Sequence, residues 1–211
     1  MLPQNEVIEK ALRTKRSLYP EIALREIIAN ALIHQDFTIR GMGPLIEIYD
    51  NRIEISNPGS LLASKEVDRL IGTQPESRNE TLASAFRRCR ICEEQGSGLI
   101  KAGVAVELYG LPPIKFQPSG NSFKVTLFAP RSYAEMSVQE RLDTCYQHAV
   151  LRHLSSSAMT NTSLRDRLKM PEKQRPMVSS LIQQAVDAGR VKPADPDNRS
   201  RKFAEYVPYW A

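Results

Sequence analysis

The sequence predicts an α/β fold of the α+β kind, in which a domain with a largely antiparallel or mixed sheet precedes a smaller helical domain. Three observations lead to this prediction. Helical and strand-like patterns alternate between residues 20 and 129, a two-residue turn joins two of the strands, and a helix-capping signal follows Pro130. We therefore place the domains at residues 1–130 and 131–211.

Composition narrows the class of protein. The chain has 211 residues and a formal net charge of +5, which suit one or two globular domains. No run of 18 apolar residues predicts a membrane span, and the N-terminus lacks the basic-then-apolar pattern of a signal peptide. We therefore expect a cytoplasmic protein with no membrane partner.

The three cysteines do not suggest a disulfide framework, because their number is odd and no signal peptide is predicted. Cys89 and Cys92 form a CxxC pair, but a structural zinc site needs four ligands and no second pair follows. We interpret both as reduced, partly buried thiols on a helix.

The first domain begins with a helix. Pro20 suits its first turn, and apolar residues recur at helical spacing as far as Ala31. Asp50-Asn51 is typical of a hairpin turn between two alternating strands. The predicted elements after the first helix are strands at 45–49 and 52–55, a polar stretch at 64–79, helices at 80–90 and 99–109, and strands at 114–117 and 122–128.

Glu26 and Asn30 are four residues apart, so they share one face of the first helix. Their neighbours are apolar, and buried polar groups need partners. A magnesium ion with phosphate would supply these partners, because an amide oxygen is a hard ligand and a carboxylate can orient water. An exposed helix edge or a satisfied core network is the alternative interpretation.

Gly96-Ser97-Gly98 precedes a predicted helix, where free backbone N–H groups and the helix dipole favour an anion. A plain loop at the entry to a helix is the alternative. The sequence contains no Gly-x-x-x-x-Gly-Lys-Ser/Thr motif, which disfavours a P-loop helicase motor.

Several short motifs occur in a fixed order along the chain. They are Tyr19-Pro20, Arg25-Glu26, Asn30-Ala31-Leu32, His34, Asp36, Ile55-Ser56-Asn57-Pro58-Gly59, Arg78-Asn79, Glu94-Gln95-Gly96-Ser97-Gly98 and the ending Tyr206-Val207-Pro208-Tyr209-Trp210-Ala211. With them the chain resembles the RecG-like C-terminal ATP-binding family, whose members are described as transcriptional regulators or ATP-dependent DNA helicases. More broadly, residues 20–129 resemble the GHKL, or Bergerat, ATPase fold of gyrase, Hsp-ninety-type chaperones, MutL proteins and sensor histidine kinases. The resemblance implies a two-layer α/β sandwich that binds ATP with magnesium.

The resemblance also implies a role for each matching residue. Glu26 would be the catalytic base and Asn30 the magnesium ligand. Asn57 would accept a hydrogen bond from the adenine amino group, and Gly59 would let the backbone approach the base. The other implied nucleotide-binding residues are Arg78 and Asn79 in a lid, Gly96, Ser97 and Gly98 around the phosphates, and Asn121 or Ser122 in the place of a final threonine.

The sequence departs from the GHKL pattern at three points. Asn57 replaces an aspartate and lacks the charge that strengthens such a hydrogen bond. Leu61 replaces a second glycine, and Ile33 and His34 stand where an acidic residue usually follows the asparagine. We therefore expect at most a weak ATPase, and we interpret His34 as a structural hydrogen-bonding residue.

The second domain shows the order helix, helix, helix and two-stranded wing. The predicted helices are 138–154, with Ser137 and Glu140 as a capping box, 164–168, capped by Asn161-Thr162-Ser163, and 176–188, ended by Gly189. A turn then leads into a strand at 202–207.

This order is that of a winged helix-turn-helix, whose third helix enters the major groove of DNA. Residues 131–211 carry 13 Lys/Arg and 9 Asp/Glu, whereas residues 1–130 carry 16 and 15, so the positive charge is concentrated here. The candidate DNA-binding residues are Lys173 and Arg175 just before the third helix, Ser179 and Gln183 on it, and Arg199, Arg201 and Lys202 on the wing. A winged helix that contacts only protein is the alternative.

Together these observations predict a transcriptional regulator in which ATP, or a related nucleotide, controls binding to double-stranded DNA. A homodimer that reads paired half-sites is expected, because one winged helix gives modest affinity. A working ATPase and a nucleotide-free scaffold are the alternatives. Members of the resembling family carry an N-terminal AlbA-like domain, so the resemblance implies such a domain or a partner outside this chain.

Overall fold

The computed structural model describes residues 4–9, 12–92, 96–197 and 204–211, with side chains from Ser17 onward. By its contacts the chain forms two units. The first unit consists of residues 1–109 and 114–130, and the second consists of residues 110–113 and 131–211. The chain therefore crosses between the units three times.

The described part of the first unit contains three α-helices and six β-strands. In chain order these are β1 (Gln4–Glu9), β2 (Leu12–Ser17), α1 (Glu21–His34), β3 (Leu45–Tyr49), β4 (Arg52–Pro58), α2 (Glu80–Arg88), α3 (Gly98–Tyr109), β5 (Lys115–Ser119) and β6 (Ser122–Phe128).

A four-stranded antiparallel sheet with the order β3-β4-β6-β5 forms one layer of the first unit. Ile53 lies opposite Leu127, and these buried side chains belong to the apolar face that α1 covers. The opposite face is polar, and Glu54 there accepts hydrogen bonds from Arg52 Nε and Lys124 Nζ, both at 2.6 Å. Since α1 also packs against α3, the predicted α/β arrangement of two layers is confirmed.

An antiparallel hairpin of β1 and β2 precedes α1, with Glu9 opposite Leu12. This hairpin was not predicted from the sequence. The apolar residues Val7 and Ile8 are adjacent rather than alternating, and β2 reads as mostly charged and polar, so neither strand shows a period of two.

The second unit consists of three helices followed by two short antiparallel strands. They are α4 (Val138–Leu154), α5 (Asn161–Arg167), α6 (Arg175–Asp187), β7 (Val191–Pro193) and β8 (Tyr206–Pro208). Met159, between α4 and α5, forms an isolated bridge to Tyr206, and buried residues such as Leu164 and Val178 form the core. Within the described ranges, no helix combines the length and apolar character needed to cross a bilayer.

Most predicted elements of the second unit are confirmed, including the helix at 138–154 and its capping box. The helix α5 begins earlier than predicted, because its cap is Thr160 rather than Asn161-Thr162-Ser163, and Thr160 Oγ1 accepts from the Ser163 N–H at 3.1 Å. The predicted strand at 202–207 overlaps β8, but residues 202 and 203 lie outside the described residues.

Segment 110–113 connects α3 to β5 and packs within the second unit. Leu111 is buried, and its carbonyl accepts a hydrogen bond from Arg167 Nη2 at 2.5 Å. Gly110 has a φ of +71°, and the Lys169 side chain occupies the space that a Cβ atom would need. The second unit is therefore built from two separate stretches of sequence.

We expect Ser137→Ala to lower the free energy of unfolding of the second unit by about 1 kcal/mol, because the hydrogen bond from the Glu140 N–H to Ser137 Oγ is lost. Urea titration followed by Trp210 fluorescence would measure it, since the only tryptophan lies in this unit and its indole N–H donates to the Tyr146 hydroxyl. Thr162→Ala is the matched control, because Thr162 is exposed in the first turn of α5. An equal loss in both variants would contradict this account.

Candidate functional site

A cavity of 190 Å³ lies in the first unit between α1, the apolar face of the sheet and the segment 59–79. The predicted site residues that line it are Glu26, Asn30, Asn57, Gly59, Arg78, Gly96 and Gly98. Phe116, Phe123 and Val125 form its floor on the sheet. The cavity thus brings together residues that are far apart in the sequence.

Glu26 is 2% exposed and faces the start of α3. A Cβ atom at Gly98 would lie 3.3 Å from Glu26 Cδ and closer still to Oε2, so only glycine fits at this position without displacing the carboxylate. Arg25 Nη2 lies 3.4 Å from Glu26 Oε1. The carboxyl group therefore lies at the N-terminus of α3, where the helix dipole favours negative charge.

Asn30 lies one turn after Glu26 and is half-buried in the cavity wall. Its side-chain amide forms no hydrogen bond with the part of the chain that the structure describes. The amide oxygen and nitrogen are thus available to a ligand.

Asn57 ends the apolar face of β4, where it is 6% exposed and lies opposite Phe123. Its Nδ2 donates to the Pro58 carbonyl oxygen at 3.2 Å. This bond orients the amide and leaves Oδ1 as a hydrogen-bond acceptor.

Gly59 follows with a φ of +107°, and its N–H donates to the Asn121 carbonyl at 2.6 Å. A Cβ atom here would lie 2.9 Å from Asp36 Cβ. The glycine is therefore required by the close approach of Asp36, a reason that the sequence analysis did not foresee, although Gly59 also lines the cavity.

Arg78 and Asn79 hold the C-terminal end of α1. Arg78 donates to the carbonyl oxygens of His34 at 3.0 Å and Ser60 at 2.6 Å, and its guanidinium lies 3.5 Å from Asp36 Oδ2. Asn79 Nδ2 donates to the carbonyl oxygens of residues 33 and 35, both at 2.8 Å. These bonds satisfy carbonyls that a helix end leaves unpaired, so the pair terminates α1 and fixes the following loop to it.

The glycine-rich segment is described from Gly96 onward, and Glu94 and Gln95 lie outside the described residues. Gly96 has a φ of +87°, and a Cβ atom on it would lie 3.4 Å from the Pro75 ring. Ser97 starts the turn into α3 with its carbonyl accepting from the Lys101 N–H at 3.0 Å, and it does not line the cavity.

Asn121 also lies away from the cavity. It is exposed in the β5–β6 turn, where its carbonyl receives the Gly59 N–H, and the neighbouring Ser122 donates its hydroxyl hydrogen to the Ser119 carbonyl at 2.8 Å. A direct ligand contact by Asn121 or Ser122 remains a prediction from the resemblance.

His34 lines the cavity two turns after Glu26. Burial, together with the positive charges of Arg78 and Lys65, lowers the pKa of the imidazole below its usual 6.5. The ring forms no hydrogen bond with the described residues, whereas the backbone carbonyl accepts one from Arg78 Nε. The interpretation of His34 as a structural hydrogen-bonding residue is therefore wrong for its side chain.

Lys65 was not predicted as a site residue, but its side chain is 8% exposed and lines the cavity. Its ammonium donates to the Gln74 carbonyl and lies 3.6 Å from Glu76 Oε2. Glu76 also accepts a hydrogen bond from Ser64. The polar stretch at 64–79 shows no periodicity, so nothing in the sequence marked this lysine as buried.

The CxxC pair lies just beyond α2 rather than within a helix, with Cys89 exposed and Cys92 half-buried. Burial raises the pKa of the Cys92 thiol, which disfavours the thiolate that metals need. Among the described residues, no cluster of three or more His, Cys, Asp or Glu side chains could hold a metal ion.

The structure places the helical DNA-binding candidates along α6 and just before it. Lys173 and Arg175 are exposed, and Glu172 lies 3.9 Å from the Arg175 guanidinium. Ser179 Oγ accepts from Asn161 Nδ2 at 2.9 Å, and Gln183 donates to Asp187 at 2.8 Å. Arg199, Arg201 and Lys202 lie outside the described residues.

Comparison with known proteins agrees with the architecture. Residues 41–127 match the family described as "Putative ATP-dependent DNA helicase recG C-terminal". This segment is similar to the RecG C-terminal-like family. The predicted family is thus confirmed, and the match includes Asn57, Gly59, Gly96 and Gly98 but begins after α1.

Among solved structures, the chain is similar to the DIP2311 protein from Corynebacterium diphtheriae, with 19% sequence identity and a TM-score of 0.58. The alignment covers 97% of this chain and 42% of that protein, so this chain spans less than half of its length. The likeness shows a shared fold. No curated protein sequence matches the chain.

We expect His34 to make the first unit less stable as the pH falls below about 6.5. Because the folded state lowers the pKa of His34, the unfolded state takes up the proton first, and stability is lost with falling pH. Calorimetric melting between pH 7 and pH 5 should show this decline, and His34→Gln should flatten it. The carboxyl pKa values of Asp36 and Glu76 are lowered from values near 4. These groups therefore titrate below the range from pH 7 to pH 5.

His153→Gln in the second unit is the matched control for this experiment. An equal flattening by that variant would contradict the assignment to His34.

Proposed function

We propose that the first unit binds ATP, or a related nucleotide, as its magnesium complex in the cavity. The observation that carries this proposal is the convergence of Glu26, Asn30, Asn57 and Gly98 on one cavity in a RecG C-terminal-like fold. Asn57 Oδ1 would accept from the exocyclic amino group of the base. The start of α3 would face the phosphates.

Magnesium fits this site only in complex with the nucleotide. The described residues offer no three-residue metal cluster, whereas Asn30 offers one hard oxygen, and Mg²⁺ commonly takes one or two protein ligands plus phosphates and water. Glu26 already places a carboxylate at the N-terminus of α3, so a phosphate beside it needs a cation to offset the repulsion.

The size of the cavity bears on how a nucleotide enters. Its 190 Å³ is below the roughly 300–1,000 Å³ of typical ligand pockets. A whole nucleotide would fill it and extend beyond it, so we infer that the segment 60–79 moves outward on binding. This movement is the lid rearrangement that would report the nucleotide to the second unit.

A second candidate activity is ATP hydrolysis with Glu26 as the general base. Its burial and its fixed position against Gly98 favour this role, because a catalytic carboxylate must be held in place. Phosphate release that disappears in Glu26→Ala would support it. Nucleotide binding without turnover above background would leave a sensor rather than an enzyme.

For the second unit we propose binding to double-stranded DNA as a winged helix. Three helices followed by two antiparallel strands, with a bridge from Met159 to Tyr206, follow the order of that module. Glu172 and Asp187 dilute the charge along α6, so the wing residues Arg199, Arg201 and Lys202 would supply most of the phosphate contacts.

A homodimer would read paired half-sites and would make this protein a nucleotide-responsive transcriptional regulator. The mixed charge of α6 equally suits a protein partner, and a scaffold without nucleotide is the remaining alternative. Calorimetry with Mg-ATP tests the scaffold alternative, and DNA binding by the wing variant separates a DNA partner from a protein partner.

We expect titration calorimetry to detect binding of Mg-ATP by the intact chain and to show at least about a tenfold loss of affinity in Asn30→Ala, since one metal ligand is removed. Asn51→Ala, in the turn between β3 and β4 and outside the cavity, is the control and should bind normally. Absence of binding by folded wild-type protein would refute the nucleotide proposal.

We expect the double variant Arg199→Ala with Arg201→Ala to weaken duplex DNA binding and to reduce the slope of log K against log salt by about two. Fluorescence anisotropy at several salt concentrations would measure both quantities. Asp195→Ala with Asp197→Ala is the opposite-charge control and should not weaken binding. A salt slope that stays unchanged in the arginine variant would indicate that the wing contacts protein instead.

A further inference from the structure

Lys65 is a buried cation in the wall of the cavity that neither the sequence motifs nor the implied nucleotide contacts include. Its side chain is 8% exposed, although lysine is rarely buried without a strong reason. The Lys65 N–H donates to the Leu62 carbonyl at 2.9 Å, so the residue sits in a tight turn that aims its side chain inward. Burial of an ammonium costs free energy unless it is paired.

The partners of Lys65 leave part of its hydrogen-bonding capacity unused. An ammonium has three N–H donors. The Gln74 carbonyl oxygen and Glu76 Oε2 are partners for two of them. Glu76 is about half exposed and also holds the Ser64 hydroxyl, which places it at the edge of the cavity rather than deep within it. A stronger anion in the cavity could therefore replace Glu76 as the partner of Lys65.

The segment Gln74–Glu76 contacts both Lys65 and Gly96, the glycine that precedes α3. Gln74 and Glu76 contact the ammonium, and the residue between them, Pro75, lies against Gly96. The Lys65 ammonium and Gly96 thus both contact this short segment, and Lys65 and Gly96 line the same cavity.

The other cations around the cavity also have partners within the fold. Arg78 binds the carbonyls of His34 and Ser60, and Arg87 Nη2 donates to Ser84 Oγ at 3.2 Å. Burial keeps the His34 imidazole neutral at pH 7 because its pKa is lowered. Among the cavity-lining cations described, Lys65 combines a buried side chain with an ion-pair partner, Glu76, that lies at the edge of the cavity.

We propose that Lys65 binds a phosphate oxygen of the ligand and that Glu76 is its counter-ion when the cavity holds no ligand. This inference rests on the proposed nucleotide site and adds a selectivity to it. A ligand with phosphates gains a charge-assisted hydrogen bond, whereas a nucleoside without them leaves the Lys65–Glu76 pair in place. The site is thus selective for phosphorylated ligands.

Titration calorimetry with Mg-ATP, inorganic tripolyphosphate and adenosine tests the proposal. Lys65→Gln should weaken binding of Mg-ATP and tripolyphosphate about tenfold and leave adenosine unchanged, because a charged hydrogen bond is lost. Glu76→Gln keeps an acceptor for Ser64 and removes the competing charge, so it should strengthen binding of both anions by about threefold. Lys115→Gln, on exposed β5 and outside the cavity, is the matched control and should change none of the three affinities.

The outcomes separate this inference from the nucleotide proposal. Equal losses for adenosine and Mg-ATP in Lys65→Gln would mean that the lysine only supports the fold, and would overturn the inference while nucleotide binding stands. Wild-type binding of tripolyphosphate that depends on Lys65, with no binding of adenosine, would keep the inference and overturn base recognition. Absence of binding by all three probes would overturn both. If Lys65→Gln does not fold, the Glu76→Gln response decides, and unchanged anion affinities there would refute the inference.

Discussion

The cavity depends on the clamp that Arg78 and Asn79 place on the end of α1. These two side chains bind four carbonyl oxygens and lie close to the Asp36 carboxylate, and they thereby join the last turn of α1, the loop after β4 and the start of α2. If the clamp were released, Asn30 and Asn57 would lose their fixed separation, since one is carried by α1 and the other by β4. The geometry of the ligand site is thus set by residues whose side chains donate hydrogen bonds to backbone carbonyl oxygens.

Sequence reasoning could find the parts of the site that depend on local periodicity. Glu26 and Asn30 share a helix face because of their spacing alone, and Gly98 could be recognised from its place before a helix. Gly59 was correctly marked as special, but the reason for it, the approach of Asp36, depends on a contact across 23 positions of sequence. No sequence pattern predicted the burial of Lys65, because that burial depends on the positions of Gln74 and Glu76 in the folded chain.

The second unit was predictable for a different physical reason. Helices α4 and α6 carry clear apolar stripes, a serine capping box and a terminal glycine with positive φ, and each of these signals acts within a few residues. The start of α5 was misplaced, because Thr160 and Asn161 are both good caps and only the backbone conformation decides between them. The hairpin at 4–17 was missed because its strands do not alternate.

The return of the chain to the second unit at residues 110–113 has a consequence for how such proteins can be divided. A cut at Pro130 would leave Leu111 and the two prolines after it on the wrong fragment, stripped of the surface that buries them. The other fragment would lack the carbonyl that Arg167 binds. Recombination at this boundary would therefore separate residues that belong to the same unit. We expect the two units to be inherited together rather than exchanged as independent domains.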